Sequence, residues 1–80
     1  MAVVTLRLFA GAREAAGTGA AVYEASTVRE LLSIAENDFG GEFSKILTIS
    51  RVWLNGDAVE GDSQISDGDE VAVLPPVSGG

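Results

Sequence analysis

The sequence predicts an α+β domain in which one principal helix covers one face of a mixed β-sheet, and three observations carry that prediction. Apolar and polar residues nearly alternate from Val3 to Phe9, an apolar stripe at helical spacing follows Thr27, and Asn55-Gly56 sits between short apolar runs. A period of two marks a half-buried strand, the i, i+3, i+4 stripe an amphipathic helix, and Asn-Gly a tight hairpin. With 80 residues the chain holds one domain, able to bury roughly 60% of its unfolded surface around a single modest core.

In the first strand Val4, Leu6 and Leu8 form the core face and Thr5 and Arg7 the solvent face. Ala10 to Ala16 is alanine-rich and predicts a short helical turn ended by Gly17 and Gly19. Ala20 to Glu24 reads as a second strand, antiparallel to the first through an enlarged connection. Thr27-Val28-Arg29-Glu30 has the form of a capping box, in which the Thr27 hydroxyl and the Glu30 carboxylate each accept from a free backbone N–H. Val28, Leu31, Leu32 and Ala35 then make the apolar face of the principal helix, which Asn37 to Gly41 ends. Phe43, Ile46 and Leu47 are expected to cover the core from a loop or short turn. Arg51 to Leu54 is the next strand, Asn55-Gly56 a type I′ turn, and Ala58-Val59 the return strand. After a turn at Asp67-Gly68-Asp69, Val71 to Leu74 forms the last strand, stopped by Pro75 and Pro76, which lack amide donors. Strand, strand, helix, strand, short strand, strand is the β-grasp order. It divides the chain into a domain over 1–74 and an extended, flexible tail over 75–80.

Composition removes most function classes. Five Lys and Arg against twelve Asp and Glu leave a net charge of −7, which repels nucleic acid and anionic lipid and favours a basic protein partner. The N-terminal segment has no basic leader, and no stretch reaches the ~18 apolar residues of a membrane span, so a soluble, cytoplasmic protein is expected. The chain contains no cysteine and no histidine. A thiol nucleophile, a disulfide and the commonest general base and metal ligand are therefore missing, and no bound metal or cofactor and no catalytic side chains are expected.

Four local patterns invite a sharper reading and do not sustain it. Gly17-Thr18-Gly19 resembles the start of a dinucleotide fingerprint, but the third glycine is absent and a strand follows. The acidic stretch from Asp57 to Glu70 matches no calcium-loop register and reads as a solvated face. No two of the carboxylates are singled out as an acid–base pair. Trp53, between Val52 and Leu54, reads as a packing residue in preference to a binding surface.

What remains to be explained is the tail Pro75-Pro76-Val77-Ser78-Gly79-Gly80. Two prolines extend its start, and six residues at about 3.3 Å each reach roughly 20 Å past the last strand. Gly79 and Gly80 lack a Cβ and can thread a channel too narrow for other residues, presenting the Gly80 carboxylate at its end. A carboxylate becomes an electrophile once adenylated with ATP, and a sulfur nucleophile then displaces AMP to leave a thiocarboxylate. Such chemistry needs only a reachable C-terminus. A terminal Gly-Gly also arises by chance in about one chain in two hundred, glycine being about 7% of residues.

Leu8-Phe9-Ala10-Gly11-Ala12-Arg13-Glu14-Ala15-Ala16-Gly17, Asn55-Gly56-Asp57 and the run from Asp67 to Gly80 resemble the small subunit of molybdopterin synthase, a ubiquitin-like sulfur carrier, over essentially the whole chain. The resemblance implies a β-grasp fold and activation of Gly80 by a ubiquitin-activating-type adenylating enzyme that uses ATP. It also implies sulfur loading by a sulfurtransferase from a cysteine-derived persulfide, and docking on a large catalytic subunit. There the thiocarboxylate supplies sulfur to cyclic pyranopterin monophosphate, with the catalytic lysines and arginines belonging to the large subunit. Gly79 and Gly80 carry over from the family's tail. Phe9, Leu74, Pro75 and Val77 are expected as apolar docking contacts on their chemistry. The alternatives are a sulfur carrier for thiamine or cysteine biosynthesis, a protein modifier joined to target lysines through Gly80, and an interaction module to which the tail is irrelevant. The Phe9 to Gly17 insert argues against the thiamine carrier, whose first hairpin is typically tighter.

Overall fold

In the computed structural model, which describes residues 1–76, the alternation of the first segment becomes strand β1 (Ala2–Leu8), with Ala2, Val4, Leu6 and Leu8 buried. It is followed by α1 (Ala10–Ala16), β2 (Ala20–Ala25), α2 (Val28–Phe39), α3 (Gly41–Leu47), β3 (Arg51–Leu54), β4 (Asp57–Ala58) and β5 (Glu70–Leu74). The strands form one sheet in the order β2-β1-β5-β3-β4. β1 pairs antiparallel with β2, with Thr5 opposite Val22, and parallel with β5, with Leu6 opposite Val71 and Leu8 opposite Val73. β3 runs antiparallel to β5, with Val52 opposite Val73 and Trp53 opposite Ala72. This is the expected mixed β-grasp sheet.

The helices cover one face. At the start of α2 the Thr27 Oγ1 accepts from the Glu30 N–H at 3.2 Å, and the Glu30 carboxylate accepts from the Ser26 N–H at 2.6 Å. The next free donors, the N–H groups of Val28 and Arg29, reach the Ser63 and Gly61 carbonyls. The capping box thus forms, and the 60s loop completes it. Val28, Leu31 and Ala35 are the residues α2 buries. They pack with the inward faces of β1 and β5 and with Phe43.

The stretch expected as a loop or short turn is instead the helix α3, so one long helix is joined by two short ones. Gly40, at φ 93°, ends α2 and begins α3. Phe43 is fully buried, its ring edge-on to Phe39 with centroids 5.2 Å apart. A seven-residue helix is too short to be stable by itself in water, so packing of Phe43 decides its conformation where the local pattern does not. At α1 the αL residue Gly17, φ 78°, returns its N–H to the Arg13 carbonyl, as a C-cap glycine does. Gly19 lies beyond this cap and plays no part in ending the helix.

The return strand β4 starts one residue earlier than Ala58-Val59. Asn55 and Gly56 both take positive φ, 49° and 90°, and close the turn between Leu54 and Asp57. Val59 stays on the ladder through its N–H to the Val52 carbonyl.

Candidate functional site

Because β1 and β5 are parallel and adjacent, they end side by side, and that junction builds the site. Phe9 leaves β1 as the residue before α1, extended at φ −126°, and donates its N–H to the Val73 carbonyl at 3.3 Å. Leu74 ends β5, and Pro75-Pro76 continues from it. Phe9 is 44% exposed and Leu74 37%, although both lie against neighbours that are apolar. Phe9, Leu74, Ala72 and Trp53 line one shallow hollow together with Gly56 and Glu70. Pro75 and Pro76 share a second with Ile49, Arg51, Trp53 and Leu74. The prolines share a third with Ala10, Gly11, Glu14, Ile46 and Ile49. The hollows share Trp53, Leu74, Ile49 and the two prolines, and together make a largely apolar surface, interrupted by Arg51, Glu70 and Glu14, where Pro75 leaves β5.

Three of the residues expected to dock a partner, Phe9, Leu74 and Pro75, are therefore brought together. Val77, Gly79 and Gly80 lie outside the described residues. Sequence reasoning missed Ile49, 64% exposed; Trp53, read as a packing residue, is half-buried and lines two of these hollows. The strand pairing sets Trp53 opposite Ala72, on the face away from the helices, while its neighbours Val52 and Leu54 pack against the core. The signal was available: in a strand of period two, Trp53 shares its face with the charged Arg51 and not with Val52 or Leu54.

On this same open face Arg7 and Glu70 form an ion pair at 3.7 Å between β1 and β5. Asp67 and Asp69 lie before the start of β5, at the opposite end from the tail, where the Val3 N–H reaches Asp67 Oδ1 at 2.7 Å and Asp69 accepts from Ser66 and Asn55. Those hydrogen bonds, the backbone one from Ser66 first, hold the Asp69 carboxyl below its ordinary pKa. At the β2–α2 contact, burial and then the 2.7 Å hydrogen bond to Asp38 push the Tyr23 hydroxyl up to about 12. Both groups serve the fold and stand apart from the apolar face. Among the described residues no group of three or more acidic, cysteine or histidine side chains is arranged to hold a metal ion, and no helix is long and apolar enough to cross a membrane.

A sheet of this order, with helices on one face and an apolar surface at the root of the C-terminal tail, is the β-grasp domain of the ubiquitin-like proteins. Solved structures bear this out. Small archaeal modifier protein 1 from Haloferax volcanii superposes with a TM-score of 0.87 at 27% identity, covering 98% of this chain and 99% of its own. A candidate subunit 1 of molybdopterin converting factor from Pyrococcus furiosus gives 0.85 at 26% identity, covering 96% and 100%. Small archaeal modifier protein 1 from Methanosarcina acetivorans gives 0.80 at 29%, covering 100% and 98%. No curated protein sequence matches the chain. The ThiS family model matches residues 6–80, and the chain belongs to that family, the ubiquitin-like sulfur carriers.

Proposed function

We propose that this carrier serves molybdenum cofactor biosynthesis, loading sulfur on Gly80 and delivering it within molybdopterin synthase. An adenylating enzyme would join the Gly80 carboxylate to the α-phosphate of ATP and release pyrophosphate. The terminal sulfur of a sulfurtransferase persulfide would then displace AMP to form an acyl disulfide, and attack of a second thiol on the sulfurtransferase sulfur would break the S–S bond, releasing the thiocarboxylate and leaving a disulfide. The carried thiocarboxylate would finally donate sulfur to cyclic pyranopterin monophosphate on a large catalytic subunit. The observation that supports this reading best is the apolar face formed by Phe9, Trp53, Leu74 and Pro75 at the base of the tail. A carrier without catalytic side chains needs such a seat so that partners can receive its terminus. The likeness to a molybdopterin converting factor subunit and the match of the 8–17 and 67–80 segments to that family support the choice of pathway.

The likeness to a small archaeal modifier protein favours a second reading, attachment of Gly80 to lysines of target proteins. Intact mass of the protein isolated from cells tests both. Replacement of one terminal oxygen by sulfur supports the carrier. A ladder of higher-mass conjugates with an unaltered free terminus overturns it in favour of the modifier.

A further inference from the structure

The chain contains a single lysine, Lys45. It is exposed on α3, and the ion pair formed among the described residues, Arg7 with Glu70, leaves it out. The next residue, Ile46, lines the hollow that Pro75 and Pro76 also line. The end of α3 is fixed there: the Lys45 carbonyl accepts from the Thr48 hydroxyl and the Ile46 carbonyl from the Ser50 hydroxyl, each at 2.6 Å. The root of the lysine is thereby held one residue from that hollow, while its amine stands on a flexible four-carbon stem. Four residues, 77–80, separate Pro76 from the terminal carboxylate, and at no more than about 3.6 Å each they span up to roughly 14 Å. The α-amine of Met1 is placed differently. β1 and β5 run parallel, with Leu8 opposite Val73, so the seven residues of β1 put about 23 Å of strand between Met1 and the end where Pro75 leaves β5.

Resting on the activation of Gly80 proposed above, we infer that Lys45 is the acceptor amine for the activated terminus of its own chain when no sulfur donor takes it, closing an isopeptide ring between residues 45 and 80. The Nζ lone pair attacks the acyl carbon of the adenylate. A C–N bond forms, the bond from that carbon to the phosphate oxygen breaks, AMP leaves with the electron pair, and Nζ gives up a proton to water. Nothing is oxidised or reduced, and the ring withdraws the terminus from sulfur transfer. Attack within one chain is favoured over attack between copies for two reasons. A short tether gives an effective concentration of order millimolar, and two chains that each carry a net charge of −7 repel.

Incubation of the full chain with ATP and the adenylating enzyme of the same organism, without a sulfur donor, tests the inference. Intact mass should show a species lighter than the starting chain by one water, and proteolysis should yield a peptide in which Gly80 is joined to Lys45. Lys45→Arg should lose this species and keep wild-type ATP–pyrophosphate exchange. Exchange without the lighter species overturns the inference, as does a linkage at Met1 or a product of twice the mass. A full chain prepared with a thioester at Gly80 carries an electrophile without the enzyme. It should close the same ring and expel its thiol at least about tenfold faster than the Lys45→Arg thioester, as a positioned nucleophile does. Equal rates overturn the inference even where exchange is normal. Ring closure by the thioester, with no exchange by the wild-type chain, overturns the activation of Gly80 and leaves the position given to Lys45 standing.

Discussion

Gly11 is where α1 meets α3 most closely: a Cβ built there would stand 2.6 Å from the Ile46 Cδ1. Gly11→Ala gains helix propensity worth about 1 kcal/mol but must displace the end of the Ile46 side chain, and the two effects should nearly cancel. Ile46→Val removes that terminal methyl, so adding Gly11→Ala in the valine background should raise stability by about 0.5–1 kcal/mol in urea titration. Equal effects in both backgrounds would show that the contact does not constrain the site. Tyr23 gives a prediction in pH. Its hydroxyl is raised from the ordinary 10.0 to about 12, so the neutral form is favoured in the folded state. Its contribution is complete below pH 10.0 and is lost as pH rises through about 12. A phenolate absorbance titration should show this late midpoint, and Asp38→Asn should bring it down, because the Asp38 charge and hydrogen bond both favour the protonated ring.

The three helices differ in how far each is encoded locally. For α2, the Thr27 and Glu30 cap, the stripe of Val28, Leu31 and Ala35 and the stop at Gly40 are all readable in a window of fourteen residues, 27–40. Thr27→Ala should cost about 1 kcal/mol, the usual value of an N-cap hydroxyl. α3 shows the reverse. Its only strong signal is Phe43, Ile46 and Leu47 at i, i+3, i+4, a single turn that a loop could equally supply. Phe43→Ala should therefore cost about 3–5 kcal/mol, a large fraction of the 5–15 kcal/mol of a small domain. If guanidinium unfolding shows a loss no larger than that of Thr27→Ala, the central role given to Phe43 is wrong. The hairpin at Asn55-Gly56 was legible because positive φ at two successive residues restricts the choice of side chains; its pairing partner was misjudged by one residue because the turn closes on Leu54 and Asp57.

For the molecule as a whole, the proposed function assigns separate work to the apolar surface at the end of β5 and to the terminal glycines, and the two should fail separately. Trp53→Ser and Leu74→Ser touch the open face, so adenylation should suffer by about tenfold or more in KM, as for buried aromatic and aliphatic interface anchors. The helix-covered core should retain its melting temperature. Gly79→Val should leave both fold and docking intact and abolish adenylation, because a β-branched residue fills the space a narrow channel leaves to glycine. Tight binding with no pyrophosphate exchange is the expected signature. Normal exchange by Gly79→Val would remove the narrow-channel argument.

Much of this was determined by the sequence alone: the inward face of β1, the extent of α2, the hairpin turn and the β-grasp order. These features are local, since side-chain period, caps and turn residues act over a few neighbours in the chain. Only the tertiary structure decided that α3 is a helix and that Phe9 and Leu74 meet where β5 ends, although sixty-five positions separate them. It also decided where the charge lies. A net charge of −7 pointed to a basic partner, yet a sum over residues has no location. The fold places Asp67 and Asp69 before the start of β5, and strand pairing sets Arg51 opposite Leu74 at its end. The electrostatic character of the surface around Leu74 follows from that non-local pairing, which composition does not encode.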